Sequence, residues 1–110
     1  SPVFRRFFDF DANEVAYVMI QEGDSGDNVI YEAEPEKTQI LQELNDLRYR
    51  YWLPKIPVAA GGWPFRVFVE FKNGDYESFL FTDTVIYVRH IGYRVDRSRL
   101  SALKSYIPNG

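Results

Sequence analysis

One histidine, no cysteine and sixteen carboxylates set the chemistry this chain of 110 residues can carry. His90 stands beside Arg89 in a stretch that reads as a turn, with no second histidine to share a metal ion. Ser78, Ser98 or Ser101 could be combined with it and an aspartate on paper, but no G-x-S-x-G elbow is present. A triad is defined by geometry rather than by composition, so His90 reads as an exposed turn residue. Glu70 and Glu77 flank the Asn73-Gly74 turn and would face each other across a hairpin in one register and lie on opposite faces in another. Two facing carboxylates could do glycosidase-like acid–base work. On a solvated face, however, opposed like charges cost only about a few tenths of a kcal/mol, and Lys72 is at hand to offset them.

The acidic turn containing Asp24, Asp27 and Asn28 lacks the spacing and closing glutamate of a calcium loop, and reads as solvated turn chemistry. Gly61-Gly62-Trp63 is followed by neither a lysine nor a helix, so it is not a phosphate loop. No metal ion or organic cofactor is expected.

The strongest binding signal is aromatic. Trp52 and Trp63 bracket a loop, Trp-Leu-Pro-Lys-Ile-Pro-Val-Ala-Ala-Gly-Gly-Trp-Pro, whose prolines and glycine pair exclude a helix interior or a central strand. The loop is expected to join no helix or ladder and to run over the surface. Either both rings fold back to lid the core, or Trp63 (failing that, Trp52) stays accessible near Phe68 as a contact anchor. Trp52, Trp63 and Phe68 are thus the candidate binding residues.

Elements must hold these residues in place. Glu14–Ile20 is rich in β-branched and aromatic residues, Gly23–Asn28 is turn chemistry, and Val29–Tyr31 resumes strand character, which makes a hairpin. Phe4–Phe10, with four phenylalanines, is an extra strand or an ordered arm. Ile40, Leu41, Leu44 and Leu47 recur at helical spacing behind Pro35, predicting an amphipathic helix over about 35–49 with Arg48 and Arg50 at its far end. Residues 65–72 and 75–82 form a second hairpin. A two-residue turn would put Tyr76 and Leu80 on the Phe65/Val67 face, and a three-residue turn with Gly74 in a bulge would put Phe79 and Phe81 there. The second gathers more ring area into one core and is preferred. In either register large apolar side chains remain on the opposite face. Val85–Val88 is a further strand, His90-Ile91-Gly92 turns into Tyr93-Arg94-Val95, and Asp96 or Ser98 can cap a last helix over about 97–107 with Leu100, Leu103, Tyr106 and Ile107 on one stripe.

The order is ββ-α-ββββ-α in one α+β domain spanning 1–110: a single antiparallel sheet of six to seven strands with two helices packed on one face. Leu44 and Leu103 are expected to be buried against that sheet. Aromatics at 17% allow a dense core in a short chain. A net charge of −3 argues against nucleic acid. The charge is uneven: residues 1–55 carry six Lys and Arg against eleven Asp and Glu, and residues 56–110 carry seven against five. No apolar run is long enough for a membrane span. Opening at Ser1-Pro2 is what a chain trimmed of an upstream segment would show.

Taken together, the Gly23–Gly26 turn, Leu44-Asn45-Asp46-Leu47, Gly61-Gly62-Trp63, the Phe65–Phe71 strand with Asn73-Gly74, and Tyr93-Arg94-Val95 resemble a type of small uncharacterised domain of exported proteins and lipoproteins of Gram-positive bacteria. The resemblance covers roughly residues 14–107. It implies a location outside the cytoplasm, often with a membrane tether, and no defined activity; a lipobox cysteine is absent here, so any tether would lie outside this sequence. The expected function is a non-catalytic binding or protein-interaction domain for a protein or small ligand. The rival is a small enzyme or enzyme-regulating domain using Asp, Glu or Arg around the sheet. A concave site with convergent titratable groups would mark the rival, and a flat apolar patch with a polar rim would mark the interaction domain.

Overall fold

Alternating apolar residues fold into strands that must bury one face, and the computed structural model shows how this chain does so. It describes residues 4–6, 8–50, 56–57, 65–81, 85–88, 91–95 and 97–108. The strands are β1 (Phe4–Arg6), β2 (Val15–Glu22), β3 (Asn28–Tyr31), β4 (Arg48–Arg50), β5 (Ile56–Pro57), β6 (Phe65–Phe71), β7 (Tyr76–Phe81), β8 (Val85–Val88) and β9 (Ile91–Arg94). The helices are α1 (Glu36–Asp46) and α2 (Arg97–Lys104). Seven strands form one sheet in the order β3-β2-β6-β7-β8-β9-β5, every described pair antiparallel, and β1 pairs with β4 separately.

The central hairpin adopts the bulged register. Phe65 stands opposite Phe81 and Val67 opposite Phe79, leaving Lys72, Asn73 and Gly74 as a three-residue turn. Gly74 takes φ +95, where a Cβ would be strained, and its N–H donates to the Phe71 carbonyl at 3.0 Å. Phe65, Phe79 and Phe81 consequently join one core with Val18, Ile20 and Val67. Glu70 and Glu77 fall on opposite faces, which removes the facing-carboxylate pair.

Val15 and Val18 are both fully buried although three residues apart, which strict alternation forbids. A register shift between Val15 and Tyr17 resolves this by making Ala16 an extra residue on β2. The carbonyl of Val15 is freed there, and Lys37 of α1 reaches it: Nζ donates at 2.9 Å from a side chain that is itself buried.

Four expectations are corrected. Helix α1 stops at Asp46 rather than near residue 49. Leu47 turns to an extended ψ of 140 while remaining fully buried, and Arg48 donates to the carbonyls of Asn45 (2.9 Å) and Leu47 (3.1 Å). Arg48–Arg50 then pairs with Phe4–Arg6 as β4, a long-range contact that decides between the helix and strand readings of these residues. Helix α2 ends at Lys104 rather than near residue 107, so Tyr106 and Ile107 lie beyond it. In the N-terminal stretch both expected alternatives hold, a short strand at Phe4–Arg6 and then an arm whose Phe8 and Phe10 pack on Phe79 at 4.3 and 6.1 Å between ring centroids. Ile91-Gly92 belongs to strand β9 rather than to a turn, Gly92 lying between Tyr87 and Ile56 in register. Finally, the Trp52–Pro64 loop does enter the ladder, because Ile56–Pro57 pairs with β9. It does so at the outer edge of the sheet, where a proline lacking its N–H is tolerated.

Asn45 fixes the arm. Its Oδ1 accepts from the Phe10 N–H at 2.7 Å and its Nδ2 donates to the Phe10 carbonyl at 2.9 Å, imitating a strand neighbour. Replacing Asn45 by alanine should cost about 1–3 kcal/mol, because both backbone groups lose their partner in a half-buried setting. Urea unfolding checks this, and faster hydrogen exchange at the Phe10 amide should accompany it; an unchanged midpoint would contradict it.

Both helices lie on one face. Ile40, Leu41 and Leu44 of α1 and Leu103 of α2 share a core with the buried strand residues. Tyr31 on β3 extends this layer, its hydroxyl donating to the Tyr106 carbonyl at 2.7 Å with the two rings edge to face. Partial burial, with Tyr106 and Glu36 nearby, raises the Tyr31 hydroxyl above the ordinary phenol pKa.

Candidate functional site

The register that buries Val67, Val69, Phe79 and Phe81 sends their strand neighbours to the other side of the sheet, away from both helices. Three cross-strand rows follow. Ile30, Met19, Phe68 and Ser78 stand side by side on β3, β2, β6 and β7. On one side of them run Asn28, Gln21, Arg66, Leu80 and Tyr87. On the other run Tyr17, Glu70 and Tyr76.

The middle row is apolar over three strands. Ile30 is 51% exposed at the sheet edge, Met19 and Phe68 are half-buried, and Tyr76 in the next row is 66% exposed. These two exposures matter because Ile30 and Tyr76 are the exposed large hydrophobic side chains of the described residues. Isolated apolar side chains at a surface need no explanation, but a contiguous row with a polar rim does.

Two contacts engage polar groups beside this row. The Arg66 guanidinium lies 5.6 Å from the centre of the Phe68 ring, a cation–π contact that holds ring and cation in one orientation. Tyr17 bonds the Glu70 carboxylate; desolvation, then the charge of Glu70, that hydrogen bond and the charge of Glu32 push its hydroxyl above the ordinary phenol range. Such groups rigidify a surface and give it polar handles.

Phe68, nominated from sequence, is therefore at the centre of the face. Trp52, Trp63 and His90 lie outside the described residues. Met19, Ile30, Tyr76 and Leu80 were not singled out as site residues, although the apolar residues left over by the hairpin alternation pointed to this face.

A concavity opens at the tip of the central hairpin. It is shallow, encloses about 670 Å³ and is lined by Glu14, Phe71, Asn73, Asp75, Tyr76 and Glu77. Two of its polar residues serve the turn: Asn73 Oδ1 accepts from the Asp75 N–H at 2.9 Å, and Asn73 Nδ2 donates to the Asp75 carboxylate at 3.2 Å. Among the described residues no group of three or more His, Cys, Asp or Glu could hold a metal ion.

No protein family, curated protein or solved structure matches this chain.

Proposed function

We propose that this domain is a non-catalytic binding module that holds a protein partner against the helix-free face of its sheet, outside the cytoplasm. The observation that carries the proposal is the row Ile30–Met19–Phe68, apolar, contiguous and turned away from both helices, with Ile30 51% exposed. The Phe68 ring, stacked under Arg66, loses little conformational freedom on contact, which is what an anchor residue requires. Trp52 and Trp63 are nominated beside Phe68 on the sequence alone. The location rests on the resemblance of the turn and strand motifs to domains of exported proteins. Among the described residues no helix is long and apolar enough to cross a membrane.

The test is site-specific photo-crosslinking of the full-length protein in its host. A photoreactive phenylalanine analogue at Phe68 or Ile30 should yield a discrete protein adduct, and one at Asp75 on the hairpin tip should not. Adducts at Asp75 alone would move the site to the concavity and favour an enzyme or its regulator. No adduct at Phe68 and Ile30 would defeat the proposal.

A further inference from the structure

Strand β3 forms one end of the main sheet, and among the described residues nothing pairs with its outer side. A four-residue edge strand presents a row of backbone donors and acceptors, the usual template for adding another strand. Natural edges are blunted by shortness, by a covering element, or by a proline, a bulge or a charge within the strand. Asn28-Val29-Ile30-Tyr31 has no proline and no charge, and it pairs with β2 in unbroken register. Its Ile30 is the most exposed member of the apolar row.

The charge lies at both ends of this strand and has one sign. Glu22, Asp24 and Asp27 precede it, Glu32, Glu34 and Glu36 follow it, and from Phe7 to Glu36 the chain contains no lysine or arginine. Two of these carboxylates are shifted below the ordinary glutamate pKa. Hydrogen bonds from the Asp24 and Ser25 amides lower Glu22, and hydrogen bonds from the Thr38 hydroxyl and amide lower Glu34. A second copy of this chain would bring the same acidic ends against these and be repelled. A cationic strand would meet complementary charge at both ends.

We infer that the β3 edge accepts an extended, lysine- or arginine-rich segment of a partner protein as an added strand, with an apolar side chain of that segment against Ile30. The inference rests on the binding-module reading and names the partner class and its mode of contact. Main-chain hydrogen bonds would supply affinity, and position along the added strand would supply choice: an apolar side chain at its centre against Ile30, basic ones at its ends toward Asp24 and Glu32.

A short synthetic peptide with lysines at both ends and valines between them, titrated into the intact chain by NMR, tests this. Amide signals of residues 28–31 should shift and gain exchange protection, and affinity should fall steeply with added salt. Methylating alternate peptide nitrogens should weaken binding at least about tenfold, since those strand hydrogen bonds are then lost. The double variant Asp24→Lys, Glu32→Lys changes exposed side chains only, and should instead prefer the same peptide with glutamates at its ends. Equal binding of the methylated peptide would show mere charge attraction and overturn the inference, as would no binding. Shifts confined to the Met19 methyl, with β3 amides unmoved, would overturn strand addition while leaving the helix-free face as a contact surface.

Discussion

Replacing Phe81 by alanine should lower the unfolding free energy by about 3–5 kcal/mol, the usual range for a phenylalanine removed from a packed core. Phe81 is fully buried and stacks on Phe65 with ring centroids 4.7 Å apart and planes 3° from parallel. Its strand position also sets it opposite Ile86 of β8, so one ring ties three strands together. Deletion would remove the transfer term, leave a cavity that flanking strands cannot close, and forfeit the ring–ring contact. Phe81→Leu, which keeps more of the volume, should cost markedly less. Chemical denaturation with unchanged slope is the measurement. A loss below about 1 kcal/mol would place the ring outside the core and undo the bulged register.

Leu44→Ala and Leu103→Ala should each cost about 2–5 kcal/mol. Both side chains have no exposed surface, and each represents its helix in the shared core. The helices touch each other as well as the sheet, so collapse around one cavity is restrained by the other helix. Spread within that range would report how far each site relaxes. Wild-type melting for both variants would mean that the helices do not cover this face.

Much of this architecture was legible because its signals are local. The α1 stripe, the Asn73-Gly74 turn and the ring-rich alternation of residues 65–81 each lie within a few residues of one another, and the choice of register followed from asking which one gathers the phenylalanines. What escaped depends on distant partners. Arg48–Arg50 suits a helix end by charge and a strand by the alternation of Arg with Tyr; pairing with Phe4–Arg6, far off in the chain, decides it. Lys37 reads as a solvated helix residue until the bulge at Ala16 supplies a buried carbonyl for it. Spacing between Val15 and Val18 was the available sign of that bulge. Of the candidate site, Phe68 was visible as an apolar residue on the non-core face of its strand. Met19 and Ile30 became its neighbours only once the pairing of β2 with both β3 and β6 was known.

The helix-free face as an open contact surface is the central claim, and one side chain reports on it cleanly. Met19 is the single methionine of the chain and stands between Ile30 and Phe68. Its ε-methyl therefore gives one unambiguous NMR signal from the middle of the face. A soluble paramagnetic agent added to the intact protein should broaden the Met19 methyl together with Ile30, while the methyls of Leu44 and Leu103 stay sharp. A Met19 signal as well shielded as those two leucines would mean that the face is covered within the chain itself, and would contradict its assignment as the binding surface.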